Sequence, residues 1–166
     1  ETMEKMTIGD TIDVRSQGQG MKLLDYPEIL LRNMSPELLD KMNITEENGK
    51  LKVGVAKIVP AAIMGSGLGA STSYFGDYDI TLHDKAITQQ YGLQDLRFGD
   101  IVAIQDADTR FGRNYLTGAV TIGVVVHSDC ILAGHGPGVT TLMTCKTPLI
   151  EAVIDEHANL ADYFVK

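Results

Sequence analysis

The chain lacks the features that mark secreted, membrane-spanning and nucleic-acid-binding proteins. It has only two cysteines, Cys130 and Cys145, and neither stands in a Cys-x-x-Cys spacing. We therefore expect two free thiols and a cytoplasmic protein, rather than a disulfide or a zinc knuckle. The apolar runs are short and are broken by Gly, Asp or Lys, which excludes a helix that crosses a membrane. A formal net charge of −8 without a basic cluster argues against a nucleic-acid partner.

The overall composition is that of an ordinary globular domain. The 166 residues are 44% hydrophobic and 22% charged, and a chain of this length can bury a core of its own. No low-complexity linker divides it, so we expect one β-rich domain over residues 1–166. The chain begins with Glu1 rather than Met, which suggests a trimmed product or a piece of a longer protein.

Short runs of alternating hydrophobicity predict that strands dominate the fold. A Gly-Asp turn leads into such a run in IGDTIDV, residues 8–14, and again in FGDIVAI, residues 98–104. The segment 50–64 alternates as a strand until a proline interrupts it, which a strand tolerates at an edge or a bulge. Two more strands are predicted in GAVTIGVVVHSD, residues 118–129, and in CILAGHGPGV, residues 130–139.

Capping signals predict two or three short helices between these strands. Ser35 is a good N-cap and Pro36 suits the first helical position. A second helix is expected between an Asp84 cap and a stop at Gly92. The tail, residues 147–164, is predicted to be helical from its Thr-Pro start. The sum is an α+β fold: a β-rich barrel or sandwich of short strands with two or three short connecting helices.

Two histidines in VVVHSDCILAGHGPGV, residues 124–139, are the strongest candidates for chemistry. The strand pattern puts His127 at the end of a strand, on its less hydrophobic face. Asp129 follows two residues later and could orient the imidazole or act as a further metal ligand. His135 lies in a glycine-rich loop. We take all three as candidate catalytic residues for metal binding or acid–base chemistry. The alternative is a hairpin followed by a tight turn with structural histidines.

Two carboxylates in the segment DADTRFG are candidate metal ligands together with His127. Asp106 and Asp108 stand at positions i and i+2, and such residues at the end of a strand point the same way. They could share a cation or a substrate amine, although the segment does not fit the calcium loop of an EF-hand. The alternative is a solvated turn in which the neighbouring arginines neutralise both carboxylates.

A glycine-rich segment, GSGLGA at residues 65–70, formally fits the dinucleotide-binding fingerprint. A β-like segment follows it instead of the helix that such a loop must open, which argues against nucleotide binding. Glycine loops can still offer backbone N–H groups to a substrate, or they can pack closely against another strand. The candidate substrate-binding residues of this kind are Gly65, Ser66, Gly67, Gly134 and Gly136.

Five segments of the chain together resemble a bacterial and archaeal family known as domain of unknown function 4438, over about residues 9–139. These segments are GQGMKLLDYPEI, IVPAAIMGSGLGAS, GDYDI, LRFGDIVAIQDAD and GAVTIGVVVHSDCILAGHGPGV. Members of that family are longer on the N-terminal side, so the resemblance implies that this chain corresponds to the C-terminal portion. It also implies that a site shared between the two portions holds only part of its groups here: Asp106, Asp108, His127, Asp129 and His135.

The pattern of β-rich halves with His and acidic motifs is also similar to that of the acetamidase/formamidase hydrolases, an analogy of pattern alone. With the candidate residues, it favours a homo-oligomeric, amidase-like hydrolase that uses a divalent metal ion on a small polar molecule. The alternative is a non-catalytic module for small-ligand binding or oligomer assembly, with both histidines in separate cores. Side chains that converge on an open pocket would favour the enzyme.

Overall fold

The fold consists of short helices and two β-sheets in the residues that the structure, a computed structural model, describes: 5–13, 15–65 and 74–165. The predicted α+β class is confirmed, and neither sheet closes on itself within these residues, so the architecture is sandwich-like. The elements in chain order are β1 (Leu30–Leu31), α1 (Pro36–Lys41), β2 (Ile44–Glu47), β3 (Lys50–Val55), β4 (Lys57–Pro60), β5 (Tyr78–Asp79), α2 (Lys85–Gln90), β6 (Ile101–Asp108), β7 (Asn114–Val125), β8 (Gly138–Cys145), β9 (Ile150–Ile154) and α3 (Leu160–Phe164).

The larger sheet has the strand order β1-β8-β7-β6-β4, and β5 also pairs with β8. Its pairs are antiparallel except for β4 and β6, which run parallel. The smaller sheet has the order β2-β3-β9, with β3 and β9 parallel. The chain passes from the smaller to the larger sheet at Ala56, whose N–H donates to the Ile101 carbonyl oxygen at 2.7 Å. The single run of alternating residues in 50–64 therefore contributes one strand to each of the two sheets.

The larger sheet is buried on both faces. Alternate residues of β6 enter different cores, since successive side chains of a strand point to opposite faces. Ile101 and Ala103 belong to the core between the two sheets, whereas Val102 and Ile104 belong to a second core on the other face. Burial on both faces explains why β6 has a continuous apolar run instead of alternation.

Local capping signals place the first two helices correctly. The Ser35 hydroxyl accepts a hydrogen bond from Leu38 N at 3.1 Å at the start of α1. The Asp84 carboxylate accepts from Ala86 N and Ile87 N at the start of α2. These bonds satisfy backbone donors that a helix start leaves without a partner, so sequence alone suffices to place them.

The predicted long helix in the tail is wrong. Ile150–Ile154 is strand β9, which lies parallel to β3, and only Leu160–Phe164 is helical. The side chain of Asn159, not the Thr-Pro start, caps this helix by accepting from Ala161 N at 2.8 Å. Pairing with β3, which lies about a hundred residues earlier in the chain, overrides the local helix signal of this segment.

Two predicted strands also differ. Residues 130–137 form a loop, and β8 begins only at Gly138. The first Gly-Asp turn leads to no strand in the described residues 5–13, although Thr7 N donates to the Asp10 carboxylate as expected of a turn. The second Gly-Asp turn leads into β6 as predicted, because β7 and β4 are there to pair with it.

Both cysteines are free, with Cys145 buried and Cys130 partly exposed, as expected from their spacing. None of the helices that the structure describes has the length and apolar character needed to cross a membrane.

Candidate metal centre

Two carboxylates and one imidazole converge where β5 lies beside the start of β8. Asp77 immediately precedes β5, Asp79 lies within it, and His127 follows the end of β7. One ligand atom from each lies within 4.8 Å of the others. The His127 Nε2 atom is 2.6 Å from Asp77 Oδ2 and 3.5 Å from Asp79 Oδ1. This is the one set of three or more such groups in the described residues that is compact enough to hold a metal ion.

The pairing of β5 with β8 places these side chains. Tyr78 pairs with Val139 and Asp79 with Gly138. Because side chains alternate along a strand, Tyr78 points into the second core while Asp77 and Asp79 point to the other face. His127 reaches the same face because it follows β7, the strand next to β8.

His127 has the tautomer expected of a metal ligand. Its Nδ1 atom lies 2.8 Å from the Ser128 carbonyl oxygen, so Nδ1 carries a proton and Nε2 faces the two carboxylates. The bond to Ser128, followed by the charges of Asp77 and Asp79, raises the pKa of His127 above its usual value. The backbone carbonyl therefore orients the ring, and the predicted orienting residue, Asp129, instead accepts from Cys130 N at 2.9 Å.

The contact between His127 and Asp77 is short but poorly directed. Asp77 Oδ2 is buried and accepts no hydrogen bond of proper geometry from any described residue, although His127 Nε2 is only 2.6 Å away. An unprotonated imidazole nitrogen and a carboxylate oxygen this close repel each other, because both present lone pairs. Either a proton on the nitrogen or a bound cation between the two atoms removes the repulsion.

Asp79 is held from behind by the loop that contains the second predicted histidine. His135 Nδ1 lies 2.8 Å from Asp79 Oδ2, and Gly136 N donates to the same oxygen at 3.4 Å. Asp79 is 6% exposed, and burying a carboxylate is costly unless it has hydrogen-bond partners of this kind. His127 and His135 thus contact the same carboxylate, from its two oxygens.

The glycine loops are packed closely around this centre. A Cβ atom at Gly138 would clash with the Asp77 carboxylate and the His127 imidazole, and one at Gly136 would clash with the Ile80 carbonyl. A Cβ at Gly65 would clash with the carbonyl oxygen of Gly134. At Gly65 and Gly136 the observed geometry is that of the close-packing alternative.

Two of the backbone N–H groups that were predicted to bind a substrate form hydrogen bonds within the protein instead. Gly65 N donates to the Asp79 carbonyl oxygen at 2.6 Å, and Gly136 N donates to the Asp79 side chain. Ser66 and Gly67, predicted to act in the same way, lie outside the described residues. The glycines therefore position Asp79.

The structure does not bring Asp106 and Asp108 together with His127. A bulge between Gln105 and Ala107 breaks the alternation of β6, and Asp106 has a positive φ of 61°. The two carboxylates therefore do not point the same way. Asp106 accepts from Gly118 N at 2.8 Å. Asp108 pairs in register with the first residue of β7, whereas His127 follows its last residue, so the length of β7 separates them.

Asp108 takes part in a local ion pair. Its two oxygens accept from Arg110 Nε at 2.9 Å and from Arg110 Nη2 at 2.7 Å, a two-point geometry typical of strong carboxylate–guanidinium pairs. Arg110 thus neutralises Asp108 as the alternative predicted, but Asp108 is buried and is not part of a solvated turn. The side-chain hydrogen bonds from Arg110 hold the pKa of Asp108 below its usual value, against the opposing effect of burial.

We expect Asp108→Asn to destabilise the protein by about 1–3 kcal/mol at pH 7, since Asp108 is 4% exposed and its partner would lose a charged acceptor. A folded-state pKa below the unfolded value of about 3.9 means that the stabilisation is complete above that pH and is lost as pH falls below it. Urea unfolding at pH 7 and pH 3 should therefore show a smaller difference between the two proteins at pH 3. The exposed Asp40→Asn is the control, and an equal effect of both variants would contradict the prediction.

Asp77 and Asp79 were not predicted as site residues, although the sequence contains a pattern that could have identified them. The segment GDYDI has the same D-x-D pattern as the segment DAD at 106–108. In a regular strand either pattern puts two carboxylates on one face, so the sequence does not distinguish the two segments. The pairing of β5 with β8 places both carboxylates beside His127, whereas the bulge in β6 turns Asp106 and Asp108 in different directions.

Comparison with solved structures finds a close relative described as "Crystal structure of TM1086". The two chains are 50% identical and superpose with a TM-score of 0.82. The match covers 89% of this chain and 52% of that one, so this chain spans about half the length of its relative. A comparison with curated proteins gives no match.

Two family descriptions match along the chain. Residues 1–40 match "Domain of unknown function (DUF4438), N-terminal", and residues 41–164 match "Domain of unknown function (DUF4438), C-terminal". The C-terminal description covers both sheets except β1, together with all three residues of the cluster formed by Asp77, Asp79 and His127. The chain belongs to the DUF4438 family.

Proposed function

We propose that Asp77, Asp79 and His127 bind a divalent metal ion, and that the protein uses this ion to hydrolyse a small polar substrate. The observation that carries the proposal is the convergence of three ligand atoms within 4.8 Å on one side of β5. The side chains of His127 and Asp77 are 46% and 28% exposed, so the cluster opens to solvent. One imidazole and two carboxylates form a donor set that suits zinc, manganese or iron.

The spacing of the donor atoms fits a small divalent ion. Ligand atoms at about 2.0–2.2 Å from a tetrahedral zinc ion lie about 3.3–3.6 Å apart. The 3.5 Å between His127 Nε2 and Asp79 Oδ1 matches this spacing. Asp77 Oδ2 is closer, at 2.6 Å from His127 Nε2. A rotation of the partly exposed Asp77 side chain that moves this oxygen by less than about 1 Å would give the same spacing.

Three protein ligands are typical of catalytic zinc sites, which leave a position open, whereas structural zinc sites have four. A divalent ion held here would supply Lewis acidity to polarise a substrate carbonyl. Asp79 would remain in place because His135 and Gly136 hold the oxygen that does not face His127. His135 is therefore assigned as a positioning residue, and the Ser128 carbonyl performs the same task for His127.

The test is metal binding by the purified chain, measured as metal content by elemental analysis and as affinity by calorimetric titration with Zn²⁺ and Mn²⁺. We expect one ion per chain, and a loss of affinity of more than about 100-fold in His127→Ala and Asp77→Asn, since even changes behind the ligands cost 10- to 100-fold. Asp129→Asn is the matched control and should bind like the wild type, because its carboxylate bonds to Cys130 N.

Stoichiometric metal in the wild type but not in His127→Ala would direct a search for hydrolysis of small amides and esters by the metal-loaded protein. If the wild type takes up no metal, or if His127→Ala binds as tightly as the wild type, the proposal is wrong. The non-catalytic module is then the better interpretation of this fold.

A further inference from the structure

A second polar feature lies on the opposite face of β5 from the metal cluster. A cavity of about 60 Å³ opens there between the second core and the chain around residues 107–115. The polar side chains that line it are those of Tyr78, Thr109, Arg113, Asn114 and Tyr115. Because Tyr78 alternates with Asp77 and Asp79 along the strand, the cavity and the metal cluster share a strand but no side chain.

The hydroxyl of Tyr78 is a buried donor without an acceptor. Tyr78 is 2% exposed, and its Oη atom makes no hydrogen bond in the described part of the chain. The Thr109 hydroxyl beside the cavity is already engaged with those of Thr121 and Thr141. A buried hydroxyl without a partner is costly, so an acceptor that enters the cavity would gain the bond that the protein leaves unmade.

Arg113 adds a positive charge beside this donor. Its guanidinium donates to the Gly65 and Met64 carbonyl oxygens, but no carboxylate in residues 5–13, 15–65 and 74–165 forms an ion pair with it. The nearby carboxylate of Asp108 is neutralised by its two-point pair with Arg110. The charged groups that act on the Tyr78 hydroxyl are thus one unpaired guanidinium and one paired carboxylate.

We infer that this cavity binds a small carboxylate, either a free acid or the carboxylate end of a larger molecule. Arg113 would supply the charge, the Tyr78 hydroxyl a directed hydrogen bond, and Ala61, Met64, Ile104 and Ala107 an apolar wall for a methyl group. This small volume limits the enclosed part of the ligand to roughly the size of formate or acetate. The inference is independent of the metal site, since no residue is common to both.

The experiment is a titration of the whole ¹⁵N-labelled chain with sodium acetate, followed by NMR, against sodium chloride at matched ionic strength. We expect saturable shifts in residues that line the cavity. Tyr78→Phe should weaken binding by about tenfold, the effect of one hydrogen bond to a charged group, and Arg113→Gln by at least as much. Tyr91→Phe removes a hydroxyl from a residue that lies outside the cavity and should bind like the wild type.

Metal content is measured on the same variants, and Tyr78→Phe and Arg113→Gln should retain it if the two sites are independent. The absence of saturable shifts with acetate would overturn the inference. Equal binding by the wild type, Tyr78→Phe and Arg113→Gln would overturn it too, since the cavity would then hold only water and acetate would bind elsewhere. If the protein binds no metal, the acetate titration still tests the inference, because acetate binding is measured in the absence of metal.

Discussion

Gly138→Ala is expected to abolish metal binding while the protein remains folded. The added Cβ would occupy the space in which the Asp77 carboxylate and the His127 imidazole now meet. Both are ends of partly exposed side chains that can swing towards solvent, so we expect a stability cost of only about 1–2 kcal/mol. Metal affinity should fall by at least about 100-fold, because two of three ligands leave their positions. Calorimetric titration with Zn²⁺ and urea unfolding measure the two effects separately.

The matched control is the double variant Gly138→Ala with Asp77→Ala. Removing the Asp77 carboxylate relieves part of the clash, so the stability costs of the two substitutions should not add, and a coupling energy of about 0.5–1 kcal/mol is expected between them. Metal binding should stay lost in the double variant. Wild-type metal affinity in Gly138→Ala would show that Asp77 and His127 do not bind the ion from the positions observed.

Gly136→Ala is expected to produce the largest loss of stability among these variants, about 3 kcal/mol. Its Cβ would clash with the backbone carbonyl of Ile80, which cannot rotate away as a side chain can. Ile80 N donates to the Pro137 carbonyl oxygen at 2.9 Å, so separating the two segments also strains the pairing that positions β5. Urea unfolding measures the loss, and metal titration should show weakened binding because Gly136 N supports Asp79.

Gly118→Ala separates steric intrusion from backbone strain. Gly118 has a φ of +86° but open space around the position of its Cβ, so alanine there should cost about 1 kcal/mol through strain alone. If Gly136→Ala proves no more costly than Gly118→Ala, the approach of Gly136 to the Ile80 carbonyl is not as tight as observed.

The sequence allowed part of the site to be predicted and left the rest hidden for a physical reason. His127 could be identified because the alternation of its strand, which is a local signal, puts it at the strand end with a loop behind it. His135 was also predicted as a site residue, but its contact with the Asp79 carboxylate was not predicted. Asp79 is 56 residues from His135 in the chain, and no local pattern specifies a partner at that distance.

The sequence by itself determined the α+β class, the two capped helices, the free thiols and the strand that ends at His127. Each of these follows from contacts within a few residues or from the period of the apolar side chains. Tertiary structure alone decided which of the two D-x-D segments faces His127 and which strand pairs with Ile150–Ile154. It also left no room for a side chain at Gly136 and Gly138. These outcomes depend on which distant strand lies alongside, and the free energy of that pairing comes from burial and register across the whole sheet.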